Sequence, residues 1–153
     1  MSKLTKAIAA AAVLFAFQTA SADVATATDD NDVILAGYDA VAYFTEGKPV
    51  KGTQTYTAQH DGAIYHFSSA KNRDAFKSDP VRYAPAYGGY CAFGTTLGKK
   101  FHVDGKAFEI VEGRLYVNKN QSVYETWVKD IHGNIVTAEG QWPSIRDVDP
   151  AQL

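Results

Sequence analysis

The hairpin turn Asp61-Gly62 is the feature that most constrains the fold of this chain. It separates two runs rich in strand-forming residues, 55–60 and 63–67. A dipeptide of this type between such runs predicts a β-hairpin with a type I′ turn, in which both central residues have positive φ. Glu112-Gly113 predicts a second hairpin later in the chain. The fold therefore has to contain antiparallel pairs of strands.

Short helices are predicted between and after the hairpins. Serines follow the first hairpin, and serine is a favoured helix cap because its hydroxyl accepts a hydrogen bond from a backbone amide. Val123, Trp127 and Ile131 recur at helical spacing further on. The predicted fold class is α+β, a small antiparallel sheet of β-hairpins packed with several short helices. These helices are expected from Ser68 or Ser69 to about Ser78, over 90–97, from Asn118 or Asn120 to about Ile131, and, after an interruption at His132-Gly133, over 135–139.

The N-terminus has the pattern of an export signal. Lys3 and Lys6 precede an apolar run over 7–17, and Ala20-Ser-Ala22 is the small-residue pattern that signal peptidase reads. This pattern predicts a signal peptide over residues 1–22 and a periplasmic or secreted location. The apolar run is too short for a stable membrane anchor, so we expect no membrane association once the signal is removed.

The remainder is predicted to be one domain. The length of 153 residues fits the usual single-domain range. Residues 23–36 are small and acidic and are predicted to form a flexible leader, 37–145 the domain, and 146–153 a C-terminal tail. The formal net charge is -2, and two lysines leave with the signal. An acidic mature chain does not favour nucleic acid or anionic lipid as a partner.

Cys91 is the only cysteine of the chain and lies in an aromatic, glycine-containing segment. In an oxidising compartment it cannot form a disulfide within the chain, so it has to be buried, bound to a ligand, or paired with another molecule. Gly88-Gly89 places it near the start of a predicted helix, where the pKa of a thiol is lowered. Unpaired cysteine is also among the most buried residue types, so both interpretations stay open.

Four motifs that occur in order resemble the exported YHS domain proteins. The family is named after a Tyr-His-Ser element, which here is Tyr65, His66 and Ser68. The resemblance covers residues 37–142, and it implies an α+β domain with a small antiparallel sheet and packed helices. Related TRASH-like modules belong to metal-handling proteins, so it also implies metal binding. The four motifs are Gly37-Tyr-Asp-Ala-Val-Ala-Tyr-Phe44, Tyr65-His-Phe-Ser-Ser69, Asp79-Pro-Val-Arg-Tyr83 and Tyr87-Gly-Gly-Tyr-Cys91.

The chain departs from the cysteine-bearing version of this pattern. Where that version has a thiol, this sequence has Ser68 and Ser69, which excludes an all-thiolate site within one chain. A copper or zinc ion would therefore need Cys91 together with His66 or His102, since both metals accept thiolate and imidazole ligands. A second copy of the chain in a homodimer, or a metal-delivery partner, would complete an unfilled set of ligands.

Each histidine also has a structural interpretation. The hairpin register predicts that His60 and His66 lie on opposite faces of the hairpin, so they cannot share one site. His66 is alternatively a residue that stabilises the turn from strand to helix, and His102 a solvent-facing residue of a predicted strand at 101–103. His60 and His132 are expected at the surface or at helix caps.

These residues predict a small exported metal-binding protein for copper or zinc binding, storage or delivery, and no reaction is specified, so we do not expect an enzyme. The alternative is a non-metal module whose aromatic surface around Tyr87, Tyr90 and Phe93 receives a small molecule or a protein. A cysteine-dependent enzyme is the third hypothesis, and it requires a histidine within hydrogen-bond reach of the Cys91 sulfur.

Overall fold

The computed structural model describes residues 24–153, so the predicted signal peptide lies outside the described residues. Ten α-helices and β-strands occur in this part of the chain. They are α1 (Ala42–Thr45), β1 (Thr53–His60), β2 (Ala63–Phe67), α2 (Ala70–Ser78), α3 (Pro80–Tyr83), α4 (Ala92–Thr96), β3 (Phe108–Val111), β4 (Arg114–Val117), α5 (Gln121–Trp127) and α6 (Ile131–Ile145). Across residues 24–153, no helix is long and apolar enough to cross a membrane.

Both predicted hairpins are confirmed, and with them the α+β class. Asp61 and Gly62 have φ of +47° and +76°, the positive values that a type I′ turn requires. In the register of β1 and β2, Thr57 lies opposite His66 and His60 lies opposite Ala63. His60 and His66 therefore face opposite sides of the hairpin, as predicted. The second hairpin pairs β3 with β4 and forms its own two-stranded sheet.

Side-chain caps determine where most of the helices begin. Ser69 accepts a hydrogen bond from the backbone amide of Asn72 and starts α2, and Asn120 starts α5 in the same way. The expected interruption at His132-Gly133 is wrong. Asp130 caps α6 by accepting a hydrogen bond from the backbone amide of Gly133. The helix therefore begins at Ile131, before the expected interruption, and continues to Ile145.

The segment before the first motif packs against the domain instead of forming a flexible leader. We call residues 24–34 the N-terminal strap. The backbone amide of Ala27 donates to the carbonyl of Gly88 at 2.8 Å, and Ile34 is 1% exposed in the core. Val33 also forms a parallel bridge with Ile64 of β2. The strap thus connects the first hairpin to the glycine pair of the Tyr87-Gly-Gly-Tyr-Cys91 motif.

The C-terminal tail is likewise held in place. Lys100 is 4% exposed, and its Nζ donates to the carbonyls of Ile145, Arg146 and Val148 at 3.2, 2.8 and 2.6 Å. These carbonyls lie at and beyond the end of α6, where no backbone amide of the helix is left to donate a hydrogen bond to them. A buried cation therefore satisfies the end of the last helix and fixes the residues that follow it.

Buried tyrosines make the fold sensitive to alkaline pH. Tyr43 and Tyr65 are 1% and 2% exposed, and burial raises the pKa of both phenols above the ordinary value of about 10. A raised folded-state pKa means that stability is fully present below pH 10 and falls as pH rises above it. We expect unfolding on the alkaline side, with the buried tyrosines ionising together with the loss of structure.

Parallel recordings of phenolate absorbance and circular dichroism across an alkaline titration check this expectation. Tyr124 is half-buried, and its hydrogen bond to Glu109 raises its pKa to about 12. Its ionisation can be compared with that of the fully buried tyrosines in the same titration. Complete tyrosine ionisation near pH 10 with an unchanged circular dichroism spectrum would contradict it.

Candidate functional site

Asp39 connects the first motif of the chain to the Tyr-His-Ser motif. It is 0% exposed. Its Oδ1 accepts from the backbone amides of Val41 at 2.9 Å and Ala42 at 3.2 Å. Its Oδ2 accepts from the amide and hydroxyl of Ser68 at 2.8 and 2.7 Å, and from Nδ2 of Asn72 at 2.8 Å. The serine that replaces a thiol in this motif is therefore part of a buried structural network.

Cys91 caps α4 and is buried. It is 1% exposed, and its Sγ accepts from the backbone amides of Gly94 at 3.4 Å and Lys119 at 3.3 Å. The thiol donates to Oδ1 of Asn118 at 3.6 Å, and the same oxygen accepts from the amide of Phe93 at 3.0 Å. These partners join α4 to the residues that follow β4, so the contacts of Cys91 are those of a structural side chain.

The thiol is less acidic than its position at a helix start predicts. Burial raises the pKa of Cys91, and the backbone amides of Gly94 and Lys119 offset this only in part. The lowered pKa expected from the sequence is therefore wrong, because α4 is only five residues long and the loss of hydration outweighs its terminal amides. A protonated, buried thiol is a poor ligand and a poor nucleophile.

Iodoacetamide labelling tests the burial of Cys91 directly. We expect native protein to react at least about 100-fold more slowly than urea-unfolded protein at neutral pH, which corresponds to an opening free energy of about 2.8 kcal/mol. Because the chain has a single cysteine, the labelled fraction read by mass spectrometry refers to this thiol alone. Labelling of native protein at the rate of the unfolded chain would contradict the structure.

The two candidate histidines line different cavities. His66 is half-buried beside one cavity, and His102 is exposed beside another, with its ring 5.8 Å from that of Tyr90. Residues of the N-terminal strap, including Asp29 and Val33, line both cavities. The predicted strand at 101–103 is absent, because these residues pair with no described strand. Its place is taken by an extended segment that leaves His102 open to solvent.

The structure does not bring the predicted metal ligands together. The hydrogen-bond partners of the Cys91 sulfur are Gly94, Lys119 and Asn118, and neither His66 nor His102 is among them. Within residues 24–153, no group of three histidine, cysteine, aspartate or glutamate side chains could hold a metal ion. The described part of one chain therefore offers no three-ligand cluster for copper or zinc.

The predicted aromatic surface is largely buried. Tyr87 and Tyr90 are 2% and 3% exposed, and Phe93 is half-buried. The hydroxyl of Tyr90 donates to the carbonyl of Val24 in the strap at 3.1 Å, and its ring lies near Trp142. The open aromatic face expected from the sequence is therefore wrong, since the strap and α6 cover it.

Tyr87 nevertheless lines a cavity of about 420 Å³, which we call the Tyr87 cavity. Its wall combines the N-terminal strap, the first hairpin, a segment that ends at Gly88, the start of β4, and α6 with the two residues that follow it. A cavity of this size suits a small organic molecule. The side chains that give it its chemistry are Asp61, Tyr65, Tyr87, Arg114, Trp142 and Arg146.

Arg114 is one of the residues of this wall. Its Nη1 donates to Oε1 of Glu139 at 2.6 Å, and its guanidinium carbon lies 5.5 Å from the ring centre of Tyr87 and 5.7 Å from that of Tyr116. The hydroxyl of Tyr87 donates to the same glutamate oxygen at 3.4 Å. An ion pair and two aromatic faces thus position the guanidinium beside the cavity.

Sequence reasoning missed Arg114, Trp142 and Arg146 as functional candidates. Arg114 follows a hairpin turn and reads as an exposed strand residue, and Trp142 reads as core. No local pattern joins them, because they converge only when α6 packs beside the second hairpin. One sequence signal could have drawn attention to Arg114. It directly follows the turn at Glu112-Gly113, which holds this first residue of β4 at the edge of the sheet.

Comparison with known proteins adds a family match. Residues 41–87 match the family model of the YHS domain. No curated protein and no solved structure matches the chain. The matched segment begins at the start of α1, contains the first hairpin, α2 and α3, and ends at Tyr87, before Cys91. Residues 41–87 are therefore similar to the YHS domain, and the match does not extend to Cys91.

Proposed function

We propose that this chain is a non-catalytic binding protein that holds a small organic molecule in the Tyr87 cavity. The observation that carries the proposal is the joint presence of aromatic rings and guanidinium groups around one cavity, from segments far apart in sequence. Ligand sites in proteins combine apolar and aromatic walls with a few polar groups that orient the ligand. Export to the periplasm or outside the cell, which the N-terminal pattern predicts, suits a protein that binds and releases a small molecule.

The surroundings of Cys91 support binding over catalysis. A cysteine-dependent enzyme needs a base beside the thiol, and the partners of Sγ are two backbone amides and an asparagine oxygen. The raised pKa of the buried thiol also opposes nucleophilic attack. The hypothesis of a small-molecule module, with its site moved from an open surface into a cavity, therefore has the stronger support.

Trp142 and Phe101 provide a matched test of this function. Trp142 lines the cavity, whereas Phe101 is a partly exposed aromatic residue that does not line it. Ligand-observed NMR with a panel of small aromatic compounds, neutral and charged, is expected to detect binders of the mature protein. Trp142→Ala should lose them, and Phe101→Ala should retain them. If no compound binds, or if Trp142→Ala binds as well as the unchanged protein, the proposal is wrong.

Copper or zinc binding stays a prediction. His66 lies within the matched YHS segment, beside a polar cavity that includes Asp29 and Lys51, and this is the observation that favours a role for it. Titration of the mature protein with zinc, alongside His66→Ala and Cys91→Ser, checks the prediction. Stoichiometric binding that both variants abolish would support it, and unchanged binding in both would remove these two ligands.

A further inference from the structure

We propose that the ligand of the Tyr87 cavity carries a carboxylate, which Arg114 binds with help from Arg146; this inference rests on the proposed function. Both arginines line the cavity. A guanidinium presents its N–H donors in a planar fork that matches the two oxygens of a carboxylate. The expected ligand class is a small organic acid with an aromatic or apolar body.

The ion pair of Arg114 with Glu139 does not prevent this group from binding a ligand. Arg114 and Glu139 have side chains that are 46% and 47% exposed, so solvent screens their attraction. A guanidinium has five N–H donors, and the bond to Glu139 uses Nη1. A carboxylate in the cavity can therefore bind Arg114 without first breaking a strong buried interaction.

The second guanidinium has a similarly exposed partner. Nε of Arg146 donates to Asp147 at 3.1 Å, and these side chains are 57% and 71% exposed. An ion pair between such exposed neighbours contributes little to stability. Two cationic groups on one wall thus offer bonds that a neutral ligand cannot use equally well.

The acids of the cavity wall do not reverse this preference. Asp147 is paired with Arg146, and the side chain of Asp61 is 77% exposed, beside His60 at 3.3 Å. The charge of Asp61 therefore faces solvent.

Cationic side chains of this protein already lie against the aromatic rings of the cavity. Arg114 lies over Tyr87, and Nζ of Lys100 is 5.9 Å from the ring centre of Trp142. A cationic ligand would compete with these residues for the same rings. An anionic group is the better match to the wall.

Phenylacetate and its neutral analogue phenylacetamide test separately whether the cavity binds a small molecule and whether it prefers a carboxylate. They share an aromatic body and differ in charge. We expect calorimetric titration of the mature protein to show phenylacetate binding about tenfold more tightly, because a charge-assisted hydrogen bond is about twice as strong as a neutral one. Equal affinities would overturn the carboxylate inference and leave the proposed function standing. If neither compound binds, both are overturned.

Three variants assign the preference to the guanidinium. Arg114→Gln should reduce the preference for phenylacetate over phenylacetamide to about twofold or less. Glu139→Gln should increase phenylacetate affinity several-fold, because it removes the competing carboxylate. Arg73→Gln is the control, since Arg73 pairs with Asp74 and lies outside the cavity. A preference that survives Arg114→Gln, or that Arg73→Gln removes equally, would overturn the inference.

Discussion

Replacing Asp39 by alanine is expected to lower the free energy of unfolding by about 3–5 kcal/mol. The carboxylate accepts hydrogen bonds from Val41, Ala42, Ser68 and Asn72, and it is 0% exposed. Each buried donor that loses its acceptor costs about 1–3 kcal/mol. Small domains have only about 5–15 kcal/mol in total, so this single change should remove a large part of the stability. Urea unfolding followed by circular dichroism measures the loss.

Asp79 supplies the matched control for this prediction. It caps α3 through one bond to the backbone amide of Arg82 at 3.3 Å, and that bond is exposed. Asp79→Ala should cost about 0.5 kcal/mol, the lower end of the range for helix caps. Asp39→Asn should fall between the two, since an amide oxygen can still accept from one side of the network. Equal losses for Asp39→Ala and Asp79→Ala would contradict the structural role of Asp39.

Gly88→Ala is expected to release the N-terminal strap. Gly88 has φ of +59°, and a Cβ at this position would lie 1.8 Å from the carbonyl oxygen of Ala25. An L-residue in left-handed backbone costs about 1–2 kcal/mol by itself. Displacing the strap adds the loss of its contacts, including the bond from the amide of Ala27 to the carbonyl of Gly88. Faster hydrogen exchange at the Ala27 amide, together with reduced stability to urea, would report this release.

Gly113 provides a control that measures the cost of placing alanine in left-handed backbone alone. It has φ of +77°, and nothing lies within 4 Å of a Cβ built on it. Gly113→Ala therefore carries the strain of left-handed backbone without any collision. We expect Gly88→Ala to cost at least about 2 kcal/mol more, and only Gly88→Ala to change exchange at Ala27. Equal costs with unchanged exchange would show that the strap does not depend on Gly88.

Local signals predicted the elements whose causes are local. Asp61-Gly62 specifies a type I′ turn through the conformations that these two residues tolerate, and the register follows from the turn. Ser69 starts α2 because its hydroxyl reaches the amide of Asn72. In both cases the residues that decide the structure lie within a few positions of one another, so the sequence pattern is sufficient.

Long-range contacts explain the predictions that were wrong. Residues 24–34 are small and partly acidic, which is typical of a flexible leader, but Ile34 and the bond from Ala27 to Gly88 fix them to the domain. Cys91 sits at a helix start, but burial raises its pKa, and its contacts with Asn118 and Lys119 come from a distant part of the chain. Neither effect is visible in a window of neighbouring residues, because the partners come from other parts of the chain.

The candidate site was the least predictable part of the molecule. Tyr87 was predicted as a contact residue, but as part of an open surface. Arg114 and Trp142 complete the cavity through the packing of α6 beside the second hairpin. Aromatic and arginine residues are common on strands and helices, and only their convergence on one space makes them candidates for binding a ligand.

The two tryptophan indole N–H signals in a proton–nitrogen NMR spectrum test the central claim most directly. The chain has two tryptophans, of which Trp142 lines the Tyr87 cavity and Trp127 is 0% exposed in the core. On titration with phenylacetate, the account predicts that the Trp142 signal shifts in a saturable manner, that the amides of Gly88 and Arg114 shift with it, and that the Trp127 signal stays in place. Shifts confined to Cys91, His66 and His102, or no shift at any of these residues, would contradict it.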